Sequence, residues 1–521
     1  MDNAGNQSWG SLTLSLVKRF RTPFIQNVQS PARHHQLPNP HPSPTPSPSR
    51  TQEEQSQNSK KPGYFAMDSE GSAVLHRNLQ HQFLRLTHGS KSRLFLEDGR
   101  SIIDASGGAA VACIGHGDAR VRDAMAAQLD KVSYCSTMFY TTDVYEQLCK
   151  QLIQSTHGQM SKVLIVSSGS EAMEAAMKLA RQYFLEKPDS EPKRVNFIAR
   201  HLSYHGTTLG SLSMGGHVFR RAKFEPMLLK NISRVSPCFA YRGQGQDEND
   251  EAYVARLAEE LDKEFQRLGP ETVCAFVAEP VVGAALGCVP SVPGYFKAMK
   301  QVCEKHGALL ILDEVMCGMG RTGTLHAWQQ EDVVPDIQTM GKCLGGGYQP
   351  IAGVLVNHKV IDALSQGSGA FVHGHTYQGH PVACAAALEV QKIISQDHLL
   401  ENVREMGKLL SEGLIRRLSS HPNVGNIRGR GLFWGIEFVS EQSTKKSFPN
   451  KAGVAMGIAE LGLTESYGIA VYPGTGTVDG ISGDHVIVSP PYNTTADEIE
   501  EIVGTIERLV NDYFKEKKIA C

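Results

Sequence analysis

The sequence predicts an α/β fold, with a large domain built on a mostly parallel sheet between helices and a smaller α+β domain beside it. Three observations carry that reading. From about residue 70 short β-branched runs alternate with segments of helical periodicity. The strongest runs are apolar throughout rather than alternating, which is what a sheet covered by helices on both faces requires. Polar, glycine-bearing turns follow several of these runs at once, where open α/β sheets place their ligands.

The strand candidates are KVLIVSS (162–168), VCAFVAEP (273–280), ALLILDEV (308–315) and IAGVLVN (351–357). The segment EAMEAAMKLARQYF sets Met173, Ala176, Met177, Ala180 and Tyr183 on one helical face, a 3–4 repeat. After about residue 380 helix and strand patterns alternate again. We assign 115–380 to the large domain, 67–114 to the first part of the small domain and 381–521 to the rest of it. Residues 1–66 form an N-terminal extension. Its stretch HPSPTPSPSRTQEEQSQNSKK is too rich in Pro, Ser and Gln to bury a core. Upstream, WGSLTLSLVKRFRTPFIQ is basic and amphipathic, and Asp2 is the only acid before Glu53. That composition fits a mitochondrial presequence. It also fits a floppy extension ahead of a second start at Met67, and this reading, with a cytoplasmic protein, is preferred.

Composition narrows the function. A chain of 521 residues exceeds one ordinary core, and its 41% hydrophobic and 20% charged residues are those of a globular protein. A net charge of −2 gives no footprint for nucleic acid or an anionic membrane, and no window approaches the roughly 20 apolar residues of a membrane span. The expected partner is a small molecule. The 11 cysteines show no CxxC pair; Cys274, Cys288, Cys303 and Cys317 sit in or beside apolar runs and read as small hydrophobes in a reducing compartment. His201, His205, His373 and His375 lack nearby carboxylate or thiolate spacing, so no metal site is expected.

Four segments make chemical sense together. In VSSGSEAMEA a strand ends, Gly169–Ser170 turns, and a helix starts; its free N–H groups and dipole would suit a phosphate, with the Ser170 hydroxyl as a further donor. An ordinary serine cap explains the same letters. In ILDEVMCGMGRTG, Asp313 and Glu314 end an apolar strand, where a buried carboxylate needs a cationic partner. A protonated pyridine nitrogen would supply one. Gly318, Gly320 and Gly323 match GxGxxG by accident, since the acids precede the glycines. In TMGKCLGGGYQPIAG, Lys342 is surrounded by small and apolar residues, which lowers the cost of losing its charge and makes it a nucleophile for an aldehyde. In HGHTYQGHPVACAAALEV, the Thr376 hydroxyl could meet a phosphate or cap a local turn.

These segments, with LEDGRSIIDASGG, GH at 115–116, YHGTT, AEPVVG and IRGRGLFWGIEF, resemble in order the class III (ω-amino-acid) branch of the fold-type I pyridoxal-phosphate aminotransferases over residues 75–510. The resemblance implies a seven-stranded sheet in the large domain and pyridoxal 5'-phosphate as cofactor. It implies that Lys342 binds the cofactor aldehyde as a Schiff base and later moves the substrate proton. Asp313 would pair with the ring nitrogen, Val315 and Tyr204 would cover the two ring faces with His205 beside them, and Gly169 and Ser170 would hold the phosphate. Thr376 would reach the phosphate of the neighbouring subunit, which implies a homodimer. Arg428 resembles a substrate-carboxylate clamp, with Arg430 close enough to confuse the assignment, and Glu279 resembles a pocket residue of variable role. Tyr134–Tyr140 and the loop near Phe371 are expected to line the pocket.

Two departures, Met316 after the DEV triplet and Tyr204 rather than Phe, tilt the acceptor towards a small keto acid such as pyruvate. The same cofactor residues also serve decarboxylases, aminomutases and racemases of the family. A non-catalytic descendant is a remote alternative, because it should have lost Lys342 or Asp313.

Overall fold

The computed structural model describes residues 72–517. The N-terminal extension read from the sequence lies outside them. The described residues fall into two units. Residues 72–82 are irregular, with the Ser72 hydroxyl accepting from the Val74 N–H (3.1 Å) and Asn78 Oδ1 from the Gln80 N–H (3.0 Å). Residues 83–517 hold everything that follows.

The central sheet has seven strands: β1 Met160–Val166, β2 Asn196–Arg200, β3 Ile232–Val235, β4 Val273–Ala278, β5 Leu309–Asp313, β6 Ile337–Met340 and β7 Ala352–Asn357. Their order across the sheet is β1-β7-β6-β5-β4-β2-β3. Only β7 runs against its neighbours β6 and β1; the other pairs are parallel. Both β4 and β5 are buried at every residue, as their unbroken apolar sequence demands. Helix α1, Gly169–Glu186, buries Met173, Ala176, Met177, Ala180 and Tyr183 against this sheet's core, the face that the 3–4 spacing marks out. On the other side Asp250–Leu268 and Tyr295–Lys305 contribute Tyr253, Leu257, Leu261, Phe265, Phe296 and Met299. The result is the expected α/β architecture, three layers with the sheet in the middle.

The two chain ends build the smaller sheets. Leu86–Ser90, Arg93–Leu96 and Ser101–Asp104 form an antiparallel meander, and Ile469–Ala470 joins its edge, parallel to Ser101–Asp104. A second sheet, wholly antiparallel, runs Val424–Arg430, Phe433–Phe438, Asp484–Val488, Tyr472–Thr475. Helices Leu399–Leu418 and Ala496–Lys517 lie over it through Leu410, Leu414, Ile502 and Ile506. No helix of the described residues is long and apolar enough to cross a membrane.

Candidate active site

Five strands, β1, β2, β4, β5 and β6, point their carboxyl ends at one cavity of about 360 Å³. The loop after each delivers a chemical group: Ser167–Ser170 after β1, Tyr204 and His205 after β2, Glu279 after β4, Asp313 and Val315 at the end of β5, and Lys342 after β6. Val111, Met316, Gln349, Pro350 and Ile351 complete the wall.

Lys342 follows β6 by two residues and opens the short 3-10 turn Lys342–Leu344. Its φ is +41°, a left-handed conformation that costs a non-glycine residue of the order of 1–3 kcal/mol. The Gly345 and Gly346 amides both donate to its carbonyl (3.2 and 3.0 Å) and hold the strain in place. Desolvation lowers the pKa of its ammonium, while Asp313 opposes that shift. The environment favours the neutral, nucleophilic amine.

Asp313 is buried, and its two oxygens are divided between partners. Oδ2 meets His205 Nδ1 at 2.7 Å, whereas Oδ1 accepts from the Val315 amide (3.0 Å) and the Thr339 hydroxyl (3.1 Å). The other ring nitrogen of His205, Nε2, is buried with no hydrogen-bond partner among the described residues. Glu279 Oε1 accepts from the Tyr204 amide (3.0 Å) and Oε2 from the Gly283 amide (3.1 Å), which pins the loop carrying Tyr204 to the end of β4. Burial raises its pKa, and the nearby Asp313 adds to the shift while His205 opposes it.

At the start of α1 the cap is Ser168, whose hydroxyl accepts from the Glu171 amide (3.2 Å). The helix itself leaves the Gly169 and Ser170 amides unclaimed. A Cβ on Gly169 would stand 2.6 Å from Val315 Cγ1, so only glycine lets Val315 close against the helix start. Ser170 Oγ accepts from the Thr207 amide (3.0 Å) and so ties the helix start to the loop beyond His205.

The structure thus brings together Gly169, Ser170, Tyr204, His205, Glu279, Asp313, Val315 and Lys342. It does not bring Arg428 or Thr376 to the cavity within this chain. The Arg428 guanidinium is held by the carbonyls of Leu286 and Gly287, the Asn426 side chain and the Glu437 carboxylate. Arg430 pairs with Glu331 at 2.7 Å. Thr376 is exposed, between His375, which bonds Glu171 (2.9 Å), and Tyr377. The Tyr134–Tyr140 segment and Phe371 are likewise absent from the lining; Met138, Phe139 and Tyr140 are exposed and the Tyr134 ring meets Tyr377 edge-on at 6.0 Å.

Glu314 is named beside Asp313 in the sequence analysis but is assigned no role there. It is fully buried and takes the Ala327 and Trp328 amides (2.7 Å each) and Gln338 Nε2 (3.2 Å), locking the end of β5 to β6. The available signal was its place beside Asp313 at the end of an apolar strand.

The family model for class III aminotransferases matches residues 74–510. The chain belongs to this family. An aminotransferase of Gibberella zeae is 52% identical over 447 residues, covering 85% of this chain and 87% of that protein. A probable mitochondrial γ-aminobutyrate transaminase of rice is 35% identical, covering 78% of each. Among solved structures, an amine transaminase from an uncultivated Pseudomonas species in its PLP-bound form superposes with a TM-score of 0.78 at 32% identity, covering 88% of this chain and all of that one.

This class III aminotransferase works with pyridoxal phosphate, and its cavity fits that group on three counts. The glycine at 169 leaves the helix start open, Asp313 is a buried acid with room for a cationic partner, and His205 Nε2 waits unsatisfied beside it.

Proposed function

We propose that this enzyme moves an amino group from an amine or an α- or ω-amino acid to a small keto acid, pyruvate being the favoured acceptor, as a homodimer. One observation carries the reading: a desolvated lysine and a buried aspartate face the same cavity from neighbouring strands β6 and β5. The bound cofactor supplies an aldehyde for the amine and a ring that accepts electrons. The chain's own groups do the rest. Lys342 holds the proton taken from the donor's α carbon and returns it, a base whose charged form burial disfavours. Asp313, oriented by His205 and the Thr339 hydroxyl, presents its carboxyl group to the cavity from the end of β5. The Gly169 and Ser170 amides bind phosphate at the start of α1. Val315 and Tyr204 pack from two sides and exclude water.

Met316 lines the cavity directly after Val315 and leaves that part of the wall apolar. This supports a small acceptor. The rice relative's name supports an ω-amino acid among the donors. The exposed apolar surface of Met138, Phe139, Tyr140, Val372 and Tyr377 beside Thr376 supports a second subunit covering that face and drawing Thr376 to its phosphate site. A donor panel with pyruvate or 2-oxoglutarate tests the proposal. Alanine exceeding glutamate supports it; release of carbon dioxide without amino transfer rejects it in favour of decarboxylation.

A further inference from the structure

Cys274, Cys288, Cys303 and Cys317 are buried thiols that desolvation pushes above the usual thiol range, as befits inert small hydrophobes. Cys343 departs from that pattern. It directly follows Lys342, and its buried thiol meets Cys113, Arg321 and Tyr492. The Cys343 thiol donates to the Ala110 carbonyl (3.1 Å), the Cys113 thiol reaches the Cys343 carbonyl (3.5 Å), and the two side chains hydrogen-bond to each other.

Arg321 makes this pair chemically unusual. Its guanidinium is fully buried, donates to the Leu432 (3.1 Å) and Pro490 (2.6 Å) carbonyls and to Cys343 Sγ (3.8 Å), and stacks 4.6 Å from the centre of the Tyr492 ring. Among the described residues it makes no ion pair with a carboxylate. A buried cation without an anion is costly. Of the groups this guanidinium donates to, only the Cys343 sulfur can become one. Burial opposes its ionisation, but the Cys113 thiol and the Arg321 charge outweigh burial and hold Cys343 below the usual thiol range. Burial and the neighbouring Cys343 push Cys113 well up. One sulfur is thus set to act as nucleophile and the other to stay a thiol.

The pair also lies next to the cavity. A Cβ on Gly346 would stand 3.5 Å from Cys113 Sγ, and one on Gly347 would stand 3.3 Å from Val111 Cγ1. Val111 and Gly347 both line the cavity, so a bare glycine turn is what covers the thiols on that side.

We propose that Cys343 and Cys113 form an oxidation site for hydroperoxides, closing to a disulfide that joins the turn carrying Lys342 to the segment carrying Val111. The Cys343 sulfur attacks one peroxide oxygen; an S–O bond forms, the O–O bond breaks, and the other oxygen takes a proton from solvent and leaves as water. The Cys113 sulfur then attacks the oxidised Cys343 sulfur. An S–S bond forms, the S–O bond breaks, and the hydroxide leaves with the Cys113 proton as a second water. The two thiols lose two electrons and one peroxide gains them.

The holoenzyme is treated with hydrogen peroxide at pH 7, alkylated, digested without reduction and mapped by mass spectrometry, with circular dichroism recorded throughout. A linked Cys113–Cys343 peptide should form about tenfold or more faster than oxidation at Cys274 or Cys303, and dithiothreitol should remove it. In Cys113→Ala the sulfenic acid of Cys343 should accumulate and be captured by dimedone. In Cys343→Ala no capture at Cys113 is expected. The proposal is overturned if the other cysteines oxidise while no linked peptide appears, or if Cys343 reacts no faster than Cys274. A link that forms only after the ellipticity has fallen also overturns it, because the pair would then react only in unfolded chains.

Discussion

His205 Nδ1 and Asp313 Oδ2 lie 2.7 Å apart in the buried wall of the cavity, joining the loop after β2 to the end of β5. Hydrogen bonds to a charged group contribute about 1.5–3 kcal/mol. Replacing His205 with Ala removes one of the three groups that orient Asp313. Cofactor affinity, followed by fluorescence titration, should weaken about tenfold or more by that estimate. An unchanged affinity would assign the pair to stability alone.

Lys342 is the group whose loss ends the chemistry. Lys342→Ala should lower turnover by about a hundred- to ten-thousandfold, because general-base transfer contributes on the order of 10²–10⁴. Stability should move the other way. The folded pKa is depressed below the ordinary lysine value. The unfolded chain therefore binds more protons between the two pKa values, and stability rises with pH across that window. In the cofactor-free protein Lys342→Met should raise the melting temperature at pH 7, with the gain shrinking as pH approaches 10.5.

Gly169→Ala puts a methyl 2.6 Å from Val315 Cγ1. Overpacking of this kind costs about 1–3 kcal/mol. Adding Val315→Ala should return part of that loss, so a double-mutant cycle in urea should show coupling well above 0.5 kcal/mol, roughly the noise of independent sites.

Glu314 makes a pH prediction of opposite sign to that for Lys342. Burial pushes its carboxyl up to about 8, against the pull of the Ala327 and Trp328 amides. The folded state then binds more protons than the unfolded one between 4.5 and 8, so this group's contribution is full below pH 4.5 and is lost as pH rises through 8. The stability difference between the parent and Glu314→Gln, from urea midpoints at pH 6 and pH 9, should shrink at the higher pH. At pH 6 the variant should be about 1–3 kcal/mol less stable, since an amide nitrogen cannot accept from the Trp328 N–H.

The legible parts of the fold were those whose partners lie close in sequence or whose residues are uniformly apolar. All four apolar runs became strands of the central sheet, and α1 showed its buried face through its spacing. Strands β2, β3 and β6 do not stand out in the sequence, because Arg200, Arg234, Gln338 and Thr339 interrupt or end their apolar runs. In the fold Gln338 is buried against Trp328 and Glu314, Thr339 donates to Asp313, and Arg200 is buried beside Tyr295 and Phe296. Lys342 and Asp313 could be read because their local surroundings betray them. Arg428 could not be placed, because the carbonyls that hold it belong to residues 286 and 287, remote in the chain.

Ile469–Ala470 lies along Ser101–Asp104 as the last strand of the N-terminal sheet. The pairing sets an order of events during synthesis. Nearly the whole molecule must leave the ribosome before that edge is covered, whereas every strand of the central sheet has emerged by residue 357. Until then Ser101–Asp104 offers open backbone to any passing extended chain. A nascent protein stalled after the central sheet would be the aggregation-prone species, and a chaperone that guards this edge would act on the early-made end of the chain.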